Sequence, residues 1–268
     1  MNRGTISNIL RTFGLLCFFD RLHFQWQKIR FHKANKLFRN EYPEVKLPPD
    51  YLMYESFQLN YKNYYLYSDG SAKNLASLFD RYKRLENLKI LDWGCGPARI
   101  LRHLAKYTGE GCEFFGADYN AETIRWCREN IPGIKFDKNP VGAQLPYDNN
   151  YFDFIYGFSV FTHLSHEKHF EWIDELSRVL KPGGILILST QGQNYFVKLT
   201  KDEKKIFQNG GLVVRGKSRE GHRTYSAFHP EKFMHTLFEK MEILEHIQPK
   251  PESGKAIPQD VWIVKKIS

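Results

Sequence analysis

The fold of this chain is decided by the stretch Lys89-Ile-Leu-Asp-Trp-Gly-Cys-Gly-Pro-Ala-Arg99. Its first half predicts an apolar strand ending at Asp92, and Gly94 and Gly96 turn the chain into a following helix. Glycine matters at such a turn because a Cβ would keep a ligand away from the backbone. Asp118 closes the next predicted strand, where an acidic side chain meets a ribose in doubly wound nucleotide-binding folds. The spacing therefore predicts a nucleoside-type binding site.

Strands and helices alternate around this stretch. Apolar runs predict strands at 88–93, 113–118, 134–136, 152–158 and 185–190. Amphipathic patterns predict a helix that Ser68 or Asp69 caps, and further helices at 100–104, 120–130 and 166–180. This alternation favours a doubly wound, Rossmann-like α/β fold with helices on both faces of a parallel sheet.

The last third of the chain departs from this rhythm. We interpret residues 191–229 as an irregular, substrate-facing insertion, followed by a helix at 230–240 and strands at 241–247 and 261–267. Only a loop joins those two strands, whereas a parallel crossover needs a dozen or more residues and usually a helix. We therefore expect them to pair antiparallel.

The N-terminal segment carries most of the net charge of +9, with eight basic residues and only Asp20 as an acid in residues 1–40. Apolar positions from Ile6 to Ile29 predict a helical extension, which either packs on the parent domain or lies on an anionic membrane surface. Pro43, Pro48 and Pro49 predict a linker after it. The tyrosine-dense stretch 51–67 is either an aromatic layer over the core or a lid over a ligand. We thus divide the chain into an arm and lid at 1–67 and a main domain at 68–268.

Composition restricts the class of protein. With 268 residues, 42% hydrophobic and 15% aromatic, the chain can bury a sizeable core, which excludes a disordered or fibrous protein. The four cysteines show no CxxC spacing, which favours reduced thiols in the cytoplasm. The apolar run from Phe13 to Phe19 is shorter than the roughly 20 residues that span a bilayer, and no small-residue cleavage site follows it. We expect a cytoplasmic protein whose residues 1–40 reach the inner face of the membrane if they bind lipid.

The glycine turn also discriminates between ligands. Arg99 occupies the sixth position of G-x-G-x-x-G, where a dinucleotide fold has glycine, and the lysine of a phosphate-binding loop is absent from the sequence of the turn. Asp92 would repel a phosphate but suits an ammonium group. Asp92 and Asp118 together favour a cationic nucleoside amino acid over NAD or ATP.

Four motifs in order give residues 88–190 a family resemblance. Leu91-Asp-Trp-Gly-Cys-Gly96 and Gly116-Ala-Asp-Tyr119 resemble the first and second motifs of the class I S-adenosylmethionine-dependent methyltransferases. Leu145-Pro-Tyr-Asp-Asn-Asn-Tyr-Phe-Asp153 is similar to their entry into strand four, and Leu180-Lys-Pro-Gly-Gly184 to their turn before strand five. The resemblance implies S-adenosylmethionine as cofactor and a seven-stranded sheet whose last strand is antiparallel. Ala98 is a departure, since relatives often have a third glycine there, and we expect only slightly altered packing.

The resemblance also implies roles for individual residues. Gly94 and Gly96, with Cys95 between them, would line the methionine part, and Asp92 would bind its amino end. Asp118 would hold the ribose hydroxyls. Three further sets would complete the site: Tyr119 on the adenine face, Asn139 at the adenine edge in place of the family's common acid, and Phe158 and Ser159 beside the sulfonium.

The histidines leave several alternatives. His163, His166 and His169 recur every third residue, but this spacing does not put them on one side of a helix, so we expect no metal site. His163 is either a general base that takes a proton from a substrate hydroxyl or a residue of the pocket wall. The residues His222, Tyr225 and His229 are expected to be solvated loop residues, with a substrate-facing role as the alternative.

Three functions compete at this point. The tract Phe158-Ser-Val-Phe-Thr-His-Leu164 and the late Gln259-Asp-Val261 resemble bacterial methyltransferases of surface-polysaccharide or secondary-metabolite assembly, which favours a small-molecule or glycan acceptor methylated at oxygen. A nucleic-acid methyltransferase would exploit the basic arm, yet Tyr156-Gly-Phe-Ser159 stands where the Asn/Asp-Pro-Pro-Tyr/Phe motif would be, so nucleic acid is disfavoured as a partner. A non-catalytic ligand-binding or membrane-docking module on the same fold is the third.

Overall fold

The computed structural model of the protein describes residue 11 and residues 13–267. The positions Arg3, Ile6, Ile9 and Leu10 of the predicted arm helix lie outside these residues. Contacts divide the chain into two compact units, one of residues 18–139 and the other of residues 140–267 with the described part of 1–17. The predicted division at residues 67 and 68 stays a prediction.

The helices of the described residues are α1 (Leu16–Glu41), α2 (Asp50–Ser56), α3 (Ser68–Asp80), α4 (Leu101–Leu104), α5 (Ala121–Asn130), α6 (His166–Val179), α7 (Lys201–Gln208) and α8 (Glu231–Leu237). The strands are β1 (Lys89–Trp93), β2 (Glu113–Asp118), β3 (Ile134–Lys138), β4 (Phe152–Gly157), β5 (Leu180–Thr190), β6 (Val213–Arg215), β7 (Ser226–Phe228), β8 (Met241–Ile247) and β9 (Asp260–Lys266). Short 3₁₀ or π turns lie at Asn63–Tyr67, Ala105–Tyr107, Phe161–His163 and Gln193–Lys198.

Seven strands form one sheet in the order β3-β2-β1-β4-β5-β9-β8. Neighbouring strands β1 and β2, β2 and β3, and β4 and β5 run parallel, whereas β9 is antiparallel to both β5 and β8. The predicted doubly wound α/β fold is therefore confirmed, as are the antiparallel last strand and its pairing with β8.

Within residues 18–139, the strand register brings the functional positions to one edge. Asp92 pairs with Gly116 and Trp93 with Ala117, so β1 and β2 reach their carboxyl ends together. Gly116 is required there because a Cβ would lie 2.7 Å from the Phe136 ring and 3.0 Å from Cys95 Sγ. Close packing of β1, β2 and β3 thus places the glycine turn beside Asp118.

The start of the main domain differs in detail from the prediction. Neither Ser68 nor Asp69 caps α3. The helix continues from the π turn before it, and Ser68 Oγ donates to the Asn63 carbonyl at 3.3 Å. Asp69 instead accepts hydrogen bonds from Lys106 (2.9 Å) and Tyr107 (2.7 Å). The side chains of Ser68 and Asp69 therefore bond to other residues instead of capping the helix.

Helix α1 packs on its own unit through one face. Gln27 Oε1 accepts from the Leu59 N–H at 2.8 Å, and Asn35 bonds both the Leu59 carbonyl (3.2 Å) and the Tyr61 N–H (3.0 Å). Phe38 joins a buried cluster with Met53, Leu59, Tyr61 and Tyr64. The helix thus packs on its unit, but not through the predicted apolar stripe, because Leu22, Trp26 and Ile29 are exposed; for these residues the prediction of packing on the domain is wrong. Tyr61 and Tyr64 lie in the buried cluster, as the aromatic-layer alternative predicts.

The arm is not one continuous helix, and a second helix directly follows the linker. Residues 13–14 form a turn in which Gly14 has a left-handed φ of +67°, so α1 begins only at Leu16. The region 42–49 is irregular as predicted. Helix α2 follows at Asp50–Ser56, which we did not predict, since its apolar residues read as part of a tyrosine-rich stretch.

The prediction of an irregular segment at 191–229 is wrong. Thr200 and Glu203 form a capping box that begins α7, and β6 pairs antiparallel with β7. The segment has its own buried cluster of Tyr195, Leu199, Phe207, Val213 and Phe228. Its sequence carries the Thr-x-x-Glu signal of a helix start, which could have revealed this order.

A buried ion pair and an N-terminal side chain stabilise this segment. Arg215 donates to both carboxylate oxygens of Glu203, at 2.9 and 2.7 Å, and both side chains are largely buried. Arg11 donates to the carbonyls of Arg215 (2.9 Å) and Gly216 (3.0 Å). The end of β6 therefore receives hydrogen bonds from a residue some 200 positions earlier in the chain.

Candidate functional site

The glycine turn after β1 is fastened to the end of β2. The N–H groups of Gly94 and Cys95 both donate to the Ala117 carbonyl, at 2.8 and 3.0 Å. Gly94 and Gly96 have φ values of +73° and +49°, in the left-handed region that glycine occupies without steric cost. The turn predicted from the sequence is therefore present, although four further turn residues separate it from the short helix α4.

Asp118 is the buried acceptor beside this turn. Its Oδ2 accepts from the Gly96 N–H at 2.9 Å and its Oδ1 from the Asn120 N–H at 2.8 Å. Burial raises the pKa of Asp118 to about 6, against the lowering effect of these N–H groups, and the nearby Glu55 carboxylate adds to the rise. Each carboxylate oxygen retains capacity for a second hydrogen bond. The pair of oxygens is thus suited to vicinal hydroxyls.

The turn lies in a negative electrostatic environment. Asp92 is buried at the end of β1. Burial raises the pKa values of the Cys95 and Cys127 thiols, and the charges of Asp118 and Asp92 raise both further. A bound cation offsets such a potential, whereas a diphosphate adds to it. The residues present therefore fit a cationic nucleoside better than a dinucleotide.

Ala98 stands where the family often has a third glycine, and its backbone keeps a conformation that suits glycine. Its φ is +54°, a left-handed conformation that costs a non-glycine residue roughly 1–2 kcal/mol. Ala98 is fully buried, and its N–H donates to the Cys95 carbonyl at 2.9 Å. The backbone therefore keeps the shape that glycine would favour, and alanine retains it at a conformational cost.

Sequence reasoning missed two residues of α2 at this site. Glu55 accepts from the Tyr119 hydroxyl at 3.3 Å and from the Asn120 side-chain amide at 3.1 Å. Ser56 Oγ lies 2.8 Å from the point where a Cβ on Gly96 would stand. The tyrosines around them drew attention to the segment, but no pattern singled out its polar residues. The end of α2 therefore forms one wall of the turn.

Two predicted contacts of the adenine lie at the ends of β2 and β3. Tyr119 is half-buried and directly follows Asp118. Asn139 is buried, and its N–H donates to the Asp118 carbonyl at 3.1 Å. The structure thus brings Asp92, Gly94, Cys95, Gly96, Asp118, Tyr119 and Asn139 to one edge of the β1–β3 half-sheet.

In the other unit, the chain turns sharply after β4. Ser159 has a φ of +65°, and such strained non-glycine residues cluster at functional sites. Its N–H donates to Ser189 Oγ at 2.9 Å, and its hydroxyl donates to Gln259 Oε1 at 3.0 Å. Ser189 also donates to that oxygen, at 2.6 Å. A network that joins β4, β5 and the residue before β9 therefore holds Ser159, with the half-buried Phe158 beside it.

His163 closes the 3₁₀ turn that follows. Its Nδ1 lies 2.7 Å from the Tyr225 carbonyl. Because a carbonyl can only accept, Nδ1 carries the proton and Nε2 keeps its lone pair. Burial lowers the pKa of His163 to about 4, against the raising effect of the Tyr225 carbonyl, while Arg223 and His222 lower it further. The ring is therefore neutral near pH 7, with a lone pair on Nε2 that can accept a hydrogen bond.

The remaining histidines differ from the expectation. His229 and Tyr225 are buried, so the prediction that they are solvated is wrong, while His222 is half-buried. His169 donates from Nδ1 to the Ser165 carbonyl at 2.6 Å, and its Nε2 lies 2.8 Å from Nε2 of His229. This histidine pair joins α6 to the end of β7, whereas His166 is exposed.

Comparisons with known proteins find methyltransferases. A family model described as a methyltransferase domain matches residues 90–184. A ubiquinone biosynthesis O-methyltransferase of Chelativorans sp. (strain BNC1) is 31% identical over 44% of this chain and 47% of its own length. A tRNA N(3)-cytidine methyltransferase of Danio rerio is 25% identical over 65% of this chain and 52% of its own length.

Solved structures share the fold. A SAM-dependent methyltransferase from Methanosarcina mazei superposes with a TM-score of 0.54 at 23% identity, over 71% of this chain and 97% of that protein. The chain spans about half the length of the curated relatives it matches.

Proposed function

We propose that residues 90–184, which match a methyltransferase-domain model, work as a class I S-adenosylmethionine-dependent methyltransferase, and that the chain transfers a methyl group to an oxygen atom of a small-molecule or glycan acceptor. The observation that carries this proposal is the buried Asp118 at the glycine turn, with both carboxylate oxygens fixed by backbone N–H groups. The acceptor class is favoured by the tract after β4 and by the O-methyltransferase among the similar proteins.

Residues of the first unit would hold the cofactor. Asp118 accepts from the ribose hydroxyls, Asp92 binds the ammonium group, and Tyr119 and Asn139 contact the adenine. Gly94, Cys95 and Gly96 leave room for the methionine chain. When bound, the sulfonium supplies an electrophilic methyl group with a neutral thioether as leaving group. The negative environment of the turn stabilises its positive charge.

Residues of the second unit would handle the acceptor. The family resemblance assigns Phe158 and Ser159 to the sulfonium, and Nε2 of His163 would accept a hydrogen bond from the acceptor hydroxyl. As the oxygen is methylated, its proton becomes strongly acidic and passes to Nε2, and from there to solvent. A base with a pKa of about 4 suffices for so late a transfer. The main contribution of the protein is then alignment of the reactants and exclusion of water.

Three measurements test this proposal. Calorimetry should show binding of S-adenosylmethionine, and methyl-labelled cofactor should label a compound in cell extracts. His163→Gln should lower the rate about 10²- to 10⁴-fold if its Nε2 takes the proton, with cofactor affinity unchanged. Cofactor binding without labelling of any compound would instead favour a non-catalytic binding module. An unchanged rate in His163→Gln would reduce His163 to a residue of the pocket wall.

A second candidate acceptor is nucleic acid. The observation that favours it is the similarity to a tRNA methyltransferase over 65% of the chain. Association with tRNA that weakens steeply with added salt, together with labelled tRNA, would replace the small-molecule proposal. We expect neither, because Tyr156-Gly-Phe-Ser159 stands at the position of the nucleic-acid amino-methylation motif.

We also propose that α1 contacts an anionic membrane surface from the cytoplasmic side. Opposite its packed face, the helix exposes a stripe of apolar residues that recurs every three or four positions: Phe18, Leu22, Trp26 and Ile29. Phe18 is 58% exposed and Ile29 78%. Among the described residues, no helix combines the length and the apolar character needed to cross a bilayer. A stripe of this kind with basic neighbours is typical of helices that lie in the membrane interface.

A further inference from the structure

A basic row runs along α1 between its packed face and its apolar stripe. Lys28, His32, Lys36 and Arg39 recur at helical spacing, and all four are exposed. At 100° per residue, this row lies on one side of the stripe formed by Phe18, Leu22, Trp26 and Ile29. The helix therefore presents three different faces: a packed face, a basic row and an exposed apolar stripe.

The four basic residues line one cavity of about 260 Å³. Its other lining residues are Asn35, Asp50, Leu59 and Tyr61. Asn35, Leu59 and Tyr61 are buried, so they form the inner wall, while the basic side chains stand at the opening. The Asn35 side chain bonds the Leu59 carbonyl and the Tyr61 N–H and so joins the three residues of this wall.

The charges around the cavity are strongly unequal. Asp50 is the one carboxylate among the lining residues, and it accepts from the Tyr61 hydroxyl at 2.6 Å while Lys28 Nζ lies 3.8 Å away. Arg39 donates to the same Tyr61 hydroxyl at 3.0 Å. Lys28, Lys36 and Arg39, together with His32, thus line the same cavity as one carboxylate. That carboxylate, Asp50, already contacts Tyr61 and Lys28.

We propose that this cavity binds a phosphate group, and that its source is the headgroup of an anionic lipid. Lysine and arginine side chains bind phosphate through charge-assisted hydrogen bonds, and arginine does so with two parallel donors. The apolar stripe on the same helix gives the reason for a lipid source, since it would enter the interface while the cavity takes the headgroup. The choice of source rests on the membrane contact proposed above and is independent of methyl transfer.

The experiment separates the cavity from the stripe and from diffuse charge. Full-length protein and three variants, Lys36→Gln, Lys33→Gln and Ile29→Gln, are compared in two assays. The first is the thermal shift caused by inorganic phosphate against chloride at equal ionic strength, because a ligand that binds only the folded state raises Tm. The second is flotation with phosphatidylglycerol vesicles, with phosphatidylcholine vesicles as the neutral reference. Lys33 is the matched control, since it is a lysine of the same helix that does not line the cavity.

We expect phosphate to stabilise the wild type, Lys33→Gln and Ile29→Gln, but not Lys36→Gln. On phosphatidylglycerol vesicles, Lys36→Gln should bind about fivefold more weakly and Lys33→Gln about twofold or less. Ile29→Gln should lose vesicle binding while it keeps the phosphate response. Equal losses for the two lysine variants, or no phosphate response in the wild type, would overturn the cavity site and leave the membrane contact standing. A phosphate response without vesicle binding would show that the source is not a lipid.

Discussion

Replacement of Asp118 by Asn tests the central electrostatic feature of the proposed cofactor site. Folding raises the pKa of this carboxyl from 3.8 to about 6, mainly through burial. The difference corresponds to about 3 kcal/mol, and its sign is unfavourable to the folded state once the group ionises. The stability from this group is full below pH 3.8 and is lost as the pH rises through about 6. Asp118→Asn should not show that loss, although its amide opposes one of the two backbone N–H donors.

The same substitution should weaken cofactor binding. A hydrogen bond to a charged group contributes about 1.5–3 kcal/mol, so we expect about 10- to 150-fold weaker binding of S-adenosylmethionine at pH 8. In the wild type the affinity should be constant above pH 7 and fall about tenfold for each pH unit below 6, because the carboxylate becomes protonated. In Asp118→Asn this part of the pH dependence should disappear.

Isothermal calorimetry from pH 5 to 8 measures these affinities, with urea unfolding at the same pH values for stability. Glu55→Gln is an informative companion, because removal of the Glu55 charge should move the binding midpoint to lower pH. Asp137→Asn, at the surface end of β3, is the matched control and should bind as the wild type. If Asp118→Asn binds the cofactor with wild-type affinity at pH 8, the ribose role of Asp118 is wrong.

Three further predictions concern stability and can be measured by chemical unfolding. Ala98→Gly should stabilise the protein by up to about 1 kcal/mol, because relief of the left-handed strain exceeds the entropy cost of glycine; a loss of stability would contradict the strain. Glu203→Gln should cost about 3–5 kcal/mol, since it leaves Arg215 buried without its anion, whereas Asp202→Ala in an exposed pair should change stability by about 0.5 kcal/mol or less. Burial lowers the pKa of His169 to about 4, so the stability it contributes is present above pH 6.5 and is lost as the pH falls through 4; His169→Gln should reduce that acid loss by about 3 kcal/mol.

The sequence predicted the central sheet well because local and global signals agree there. Residues 113–118 are an apolar run between turn signals, and they form β2 with the predicted bounds. The glycine turn was predictable for a related reason, since Gly94 and Gly96 sit at a place where few other residues fit. The positive φ of Ala98 could not be predicted in this way, because an alanine in a sequence does not indicate a left-handed backbone.

Other features depend on contacts that one sequence does not reveal. Glu55 accepts from Tyr119 and Asn120 only because α2 folds against the glycine turn, and nothing local in the sequence links it to Asp118. His229 reads as a loop residue, yet its bond to His169 places it in the interior. The wrong prediction at 191–229 has another cause. The sequence contains the capping signal of Thr200 and Glu203, but the segment was predicted to be irregular because strands and helices no longer alternate regularly there.

The bonds from Arg11 bear on how shortened forms of this protein should be designed. A truncated form that starts at Leu16 would keep all of α1, but it would lack the Arg11 guanidinium that donates to the Arg215 and Gly216 carbonyls. Truncated forms should therefore retain residue 11. A comparison with Arg11→Lys would show how much the stability of the β6–β7 pair depends on this side chain.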